Sequence, residues 1–337
     1  IPEAEHIFKL SIKHNNNNYD AHYYLAQCQL AQSKFLDGWI NYKYRWLASQ
    51  FNSIELKTNL PMFNLSKGKK NLLIWSEQGI GDQILFLRFF RDLLPHVNNL
   101  FVKIDVRLHQ VIKRTYPKIN FIGKNDNNKR NTINYQIPLC DLGSLFIKNI
   151  SYFAKNNRYY LTSDHKLKKE FKKNLKTKNR YICGLSWISK NEEIGDKKSI
   201  SLNNLKPLLL LKNITFIDLQ YNNTNDERKK FYETHKIKIK KLENLDSFND
   251  LNGVISLIDI CDFIISVSNT NAHLSGALGK KTYLLLPKGK GRLWYWSSKN
   301  NKSIWYPSIE VLQQNVAGSW ESVINKLSKI LKDKLIE

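Results

Sequence analysis

Two doubly wound parallel sheets preceded by a short all-α segment form the α/β fold class that this sequence predicts, and three observations carry it. Strand-like apolar runs alternate with helical ones from Asn71 to Ile122 and again from Tyr181 to Pro287. In each half a buried-strand pattern runs into a small polar or glycine turn and then a helix. Asn71–Trp75 meets Ser76-Glu77-Gln78-Gly79-Ile80-Gly81-Asp82, and Asp262–Val267 meets Ser268-Asn269-Thr270-Asn271. Residues 1 to 50 keep a helical period instead, with Tyr23, Tyr24, Leu25, Ala26, Leu30 and Ala31 on one apolar face.

The opening segment reads as two helices broken near Gln32-Ser33, the unit of a helical-hairpin repeat. One such unit does not bury its own faces, so it needs a neighbour to pack on. A polar connector with Pro61 and Gly68 follows. Next come strand Asn71–Trp75, an apolar helix from Ile84 to Leu94 closed by Pro95, strand Leu100–Val106, helix Leu108–Arg114 and strand Ile119–Ile122. Asn125–Asn134 reads as a loop, and Asp141–Phe146 with Tyr159–Leu161 closes the first α/β set.

The basic run Lys166–Lys178 leads into a second set. Its order is strand Tyr181–Trp187, a polar loop to Lys198, helix Leu202–Leu211, strand Ile214–Leu219, helix Glu227–Thr234 and helix Asp250–Ile260. Strand Asp262–Val267, helix Ala272–Leu278 ended by Gly279, and strand Lys281–Leu286 complete it. An aromatic stretch from Trp294 to Tyr306 and an amphipathic helix from Trp320 finish the chain. Sheets of this kind bind ligands at the carboxyl ends of their strands, where helix N-termini favour anions.

Composition narrows the function classes. At 337 residues the chain accommodates two domains and an appendage, and it has no apolar run near the ~20 residues of a membrane helix. No signal-peptide pattern opens it, and a start at Ile1 without Met reads as a fragment. The four cysteines lie far apart, which fits neither a disulfide framework nor a zinc site and suits a reducing cytoplasm. A formal net charge of +24 invites nucleic acid, but Lys far exceeds Arg and the basic residues are scattered, so specific nucleic-acid binding is not expected. Attraction to a phosphate-bearing small molecule or an anionic membrane surface fits the charge equally well.

At WSEQGIGDQILFLRFFRDL, SVSNTNAHLSGALGKKTYLLLP and IWYPS the chain resembles the tetratricopeptide-linked glycosyltransferases of the heptosyltransferase-like superfamily (glycosyltransferase family 9-like). YDAHYYLAQCQLAQSKFLDGWINYKYRW is similar to the repeat that precedes such domains. The resemblance implies a GT-B fold. Its parts are a tetratricopeptide-like hairpin at 1–50, a linker at 51–70 and a Rossmann-like acceptor-side domain at 71–165. A nucleotide-sugar domain at 166–319 and a helix at 320–337 that crosses back to the first domain complete it. Asp82 then matches the catalytic base, with Glu77 as a second carboxylate in the same turn, although a helix N-cap would also account for Asp82. Lys198 and Ser199 match a diphosphate-binding position, and Asn269, Thr270 and His273 lie in the donor motif, where Ser268 stands in place of the usual Asp. A packing histidine equally explains His273. Gln220 and Asp226 are weaker candidates for ribose or base.

The implied activity is metal-independent, inverting transfer of a sugar from a nucleotide diphosphate donor to a glycan, lipid-linked glycan or protein, with no permanently bound cofactor. The location implied is cytoplasmic, with peripheral contact to the inner membrane face and a protein partner on the helical repeat as further options. A catalytically silent module that binds a glycan or protein is the alternative, motivated by Ser268.

Overall fold

The computed structural model describes residues 1–123, 131–156, 158–175 and 181–335. Most of the predicted loop 125–134 and the end of the basic run 166–178 lie outside the described residues. The chain divides into two compact units: Ile1–Arg158 with Trp294–Ser297, and Tyr159–Leu293 with Ser298–Glu337.

The first unit begins with helices Pro2–His14, Tyr19–Ala31 and Phe35–Tyr42. Asn18 caps the second, accepting the Ala21 N–H at 3.0 Å, and the chain reverses at Ser33, whose φ is +63°. The parallel strands β1 (Lys70–Trp75), β2 (Val97–Lys103), β3 (Asn120–Phe121) and β4 (Tyr135–Pro138) line up in the order β3-β2-β1-β4. The chain therefore steps outward from β1 to β3 and returns on the other side of β1, which places the switch of strand order between β1 and β4. β4 carries no sequence signal of its own, being short and ending in Pro138. The helical segment is not a separate body. The Trp39 indole N–H donates to the Ile147 carbonyl at 3.2 Å, and the Trp39 ring meets Phe86 edge-on.

In the second unit β5 (Tyr181–Ser186), β6 (Ile214–Asp218), β7 (Phe263–Val267), β8 (Thr282–Leu286), β9 (Ser298–Lys299), β10 (Lys302–Ser303) and β11 (Ile309–Gln313) give the order β6-β5-β7-β8-β11-β10-β9. The sheet is parallel from β6 to β11 and antiparallel beyond. Strand order switches between β5 and β7. Phe263, Ile265 and Val267 face one core cluster with Leu202, Leu205 and Leu209, so every second residue of β7 points there.

Two late segments pack within the units as follows. The C-terminal helix, Glu321–Leu335, puts Val323, Ile324, Leu327 and Leu331 into the core cluster of the second unit. The late segment that joins the first unit is Trp294–Ser297. Tyr160 and Leu161, expected to close the first domain, both donate their backbone N–H groups to the Ala277 carbonyl in the second, at 2.8 and 3.1 Å. No helix among the described residues is long and apolar enough to cross a membrane.

Helix Thr270–Leu278 lies close to Tyr306 because residue 276 is glycine: a β-carbon there would sit 2.4 Å from the Tyr306 ring. Gly276→Ala is expected to destabilise the second unit by about 1–3 kcal/mol through overpacking. Chemical denaturation followed by fluorescence checks this.

Candidate functional site

In the second unit, the loops leaving the carboxyl ends of β5, β6 and β7 meet at the switch of strand order. The Ser186 hydroxyl, at the end of β5, donates to Gln220 Oε1 at 2.8 Å. It accepts from Asn269 Nδ2 at 2.8 Å and Asn271 Nδ2 at 3.0 Å, which uses its whole bonding capacity. Asn269 is equally committed. Its amide also donates to the Ile188 carbonyl at 3.1 Å, while its Oδ1 accepts the Asn271 N–H at 3.0 Å and the Ser266 hydroxyl at 3.2 Å. Asn269 is thus the N-cap of helix Thr270–Leu278, which starts two residues earlier than the sequence suggests because this cap satisfies its first turn.

These bonds redistribute the expected roles. Gln220 is wholly buried and its side chain is spent inside the network, with Oε1 also accepting the Trp187 and Ile188 N–H groups at 2.8 and 3.1 Å. It therefore has no face for a ribose or base. Asp226 stands exposed in the first turn of helix Asn225–His235. The buried acid of that region is Asp218, ion-paired to Arg228 at 3.2 Å and Lys241 at 3.4 Å. The Ser199 hydroxyl closes its own loop, donating to the Gly195 carbonyl at 2.9 Å and accepting the Ser189 N–H at 3.0 Å. Thr270, half-buried at the first helical position, keeps a hydroxyl without a hydrogen-bond partner among the described residues.

Lys198 and Ser268 are both buried. His273 lies beneath the helix start, its Nδ1 2.9 Å from the Tyr306 hydroxyl. Burial, helped by the nearby charge of Lys198, pushes its pKa down to about 3, so the imidazole is neutral at physiological pH. A packing role fits this better than proton transfer.

In the first unit the corresponding crevice, between the ends of β1 and β4, is filled by Arg45 from the helical segment. The wholly buried guanidinium contacts both Glu77 oxygens, Nε to Oε1 at 2.9 Å and Nη2 to Oε2 at 3.2 Å, and reaches Asp141 at 2.9 Å. Tyr42 and Trp46 stack on it at 4.7 and 4.6 Å. Burial opposes the charge on Arg45, yet the two carboxylates more than offset it and hold its pKa above the ordinary value. Burial pushes Glu77 up to about 7 against the pull of Arg45. Glu77 is a structural partner whose oxygens are already occupied.

Asp82 is not the N-cap; Gly79 is. Asp82 occupies the third position of helix Ile80–Phe86, half-buried, and the buried Tyr295 hydroxyl hydrogen-bonds its carboxylate. Gln83 fixes the turn, donating to the Gln78 carbonyl and accepting the Asp105 N–H, both at 3.0 Å. Beside it, at the carboxyl ends of β1 and β2, lies a cavity of about 650 Å³ lined by Ile54, Leu56, Lys57, Trp75, Gln83 and Lys103. Sequence reasoning missed Arg45, Ser186, Asn271 and Tyr295. The polar quartet that contains Asn271 and the dense aromatics around Tyr295 were local signals, whereas the partners of Arg45 and Ser186 are set by distant strands.

No family model matches the chain. It is 24% identical over 339 residues to Protein FlbA of Caulobacter vibrioides, an alignment covering 92% of this chain and 55% of that protein. The chain therefore spans about half the length of this curated relative. In structure it is similar to a glycosyl transferase family 9 protein from Veillonella parvula, with TM-score 0.51, 11% identity, and 82% of this chain and 93% of the other covered. It is also similar to the E. coli ADP-heptose lps heptosyltransferase II, with TM-score 0.51, 11% identity, and 78% and 99% covered. What the chain shares with both is a fold, mixed α/β with parallel sheets and GT-B-like.

Two measurements follow from these environments. Because the folded state holds His273 neutral down to about pH 3 while the unfolded chain protonates near the ordinary 6.5, its contribution to stability is complete above pH 6.5. That contribution falls by up to about 1.4 kcal/mol per unit as pH drops below 6.5. The stability gap between wild type and His273→Gln, followed by denaturant titration, should therefore narrow from pH 7 to pH 4. Glu77→Ala, which strips Arg45 of its two-point partner, should cost about 3–5 kcal/mol in the same assay.

Proposed function

We propose that the chain is a metal-independent, inverting glycosyltransferase that moves a sugar from a nucleotide diphosphate donor to a hydroxyl of a glycan, lipid-linked glycan or protein. The observation that carries this reading is the crevice of the second unit: a capped helix start with the Thr270 hydroxyl unused, and Lys198 buried in the same unit, in a fold shared with glycosyltransferases. Helix N–H groups and a lysine are the chemistry that takes a diphosphate. In this reading Thr270 and Lys198 grip the phosphates. Asn269 shapes the corner without touching the ligand, and Ser268 contributes its small size.

The first unit supplies the base. Glu77 is held by Arg45, which leaves Asp82. As the acceptor oxygen bonds to the anomeric carbon, Asp82 takes its proton. The bond from that carbon to the diphosphate oxygen breaks, and the leaving group carries away the electron pair to Lys198. The 650 Å³ cavity by Gln83 is where the acceptor would rest. The tetratricopeptide-like hairpin braces this sheet through Trp39 and Arg45, and the protein works in the cytoplasm.

Ser268 favours one second reading, a silent module that binds a glycan or protein through the same surfaces. The two separate on thermal shift with nucleoside diphosphates, where stabilisation supports the transferase. With a working donor, Asp82→Asn should cut turnover by about 10²–10⁴-fold while leaving the donor-induced shift intact. Undiminished turnover in that variant would remove Asp82 from the mechanism.

A further inference from the structure

Within the second unit, Lys288-Gly289-Lys290-Gly291-Arg292 leaves the carboxyl end of β8 and has no part in the site described so far. Gly289 and Gly291 adopt φ of +82° and +98°, a region that side-chain-bearing residues rarely enter, and the Arg292 N–H donates to the Gly289 carbonyl at 3.2 Å. The tight turn rests on the lysine pair of the loop after β5. A β-carbon on Gly291 would lie 3.2 Å from Lys198 Cγ and 3.4 Å from Lys197 Cβ. Two loops thus bring their cations to one place, and neither Lys197, Lys290 nor Arg292 forms an ion pair among the described residues.

Arg292 is the unusual member. It is half-buried, yet none of its five N–H donors has a partner among the described residues, and burial alone lowers its pKa from the ordinary value. Two other arginines withdrawn from water have acceptors among the described residues. Arg45 has Glu77 and Asp141, and Arg228 has Asp218 and the Ile239 carbonyl. A guanidinium partly desolvated without an anion is destabilising, and an incoming pair of oxyanion oxygens relieves the cost.

We propose that Arg292 is a donor-binding residue whose planar fork takes two oxygens of one anionic group, beside Lys198. This rests on reading the second unit as the donor side. The group is a phosphate of the diphosphate or a carboxylate on the transferred sugar, both of which match the fork.

Calorimetric titration of the full chain with inorganic pyrophosphate, UDP, ADP, GDP, UDP-glucose and UDP-glucuronate, at fixed ionic strength, tests it. Wild type, Arg292→Ala and Arg292→Lys are compared, each first shown to melt cooperatively. Loss of about tenfold or more in affinity for pyrophosphate and the diphosphates in Arg292→Ala, only partly restored by Arg292→Lys, supports the phosphate form. Loss confined to UDP-glucuronate relative to UDP-glucose supports the carboxylate form. Wild-type affinity of both variants for every probe overturns the role of Arg292 and leaves the donor reading standing. Failure of the wild type to bind any of the probes overturns the donor reading, and this inference with it.

Discussion

The side-chain amide of Asn269 joins three things that would otherwise drift apart: the start of a helix, the end of β5 and the loop beyond it. All four of its hydrogen-bonding positions are used inside the protein. Through Ser186 and Gln220 the same network reaches β6, so side-chain hydrogen bonds tie together the corner where strand order switches. Residues that look like ligands in sequence are here the frame, and Thr270 keeps a hydroxyl without a hydrogen-bond partner among the described residues.

The first unit treats its equivalent crevice in the opposite way. Arg45 fills it, caught between Glu77 and Asp141 and sandwiched by aromatic rings. Such a pair is costly to desolvate, and its stability depends on complete pairing. What it secures is the junction between the helical segment and the turn that carries Asp82, so the N-terminal helices act as part of the sheet's own scaffold. The open space has moved one strand over, to the cavity beside β2.

The two units therefore treat their strand-end crevices differently. In the second unit the turn after β8 brings Lys290 and Arg292 close to the lysine pair of the loop after β5. The first keeps a half-buried carboxylate under a tyrosine hydroxyl. Ser268 belongs to the same logic. A carboxylate at that buried place would need a cation of its own, whereas a serine needs none.

Periodicity and turn chemistry alone determined much of this molecule. The run Asp262–Val267, the polar quartet after it and Gly279 are local signals, since strand burial, capping and left-handed backbone are properties of a few neighbouring residues. For the same reason Asp82 was visible as a carboxylate in a glycine turn. β4 and β11 were not visible, because short strands are defined by the neighbours they pair with. The division of labour between frame and ligand was also hidden. Gln220 and Asn269 are polar residues after strands in either case, and only the approach of Ser186 and Ile188 from elsewhere in the chain decides that their amides face inward. The fate of Arg45 and Glu77, 32 residues apart, was likewise a tertiary decision. Charge type is written in the sequence, but whether a charge meets a partner or waits for one depends on which strands come together.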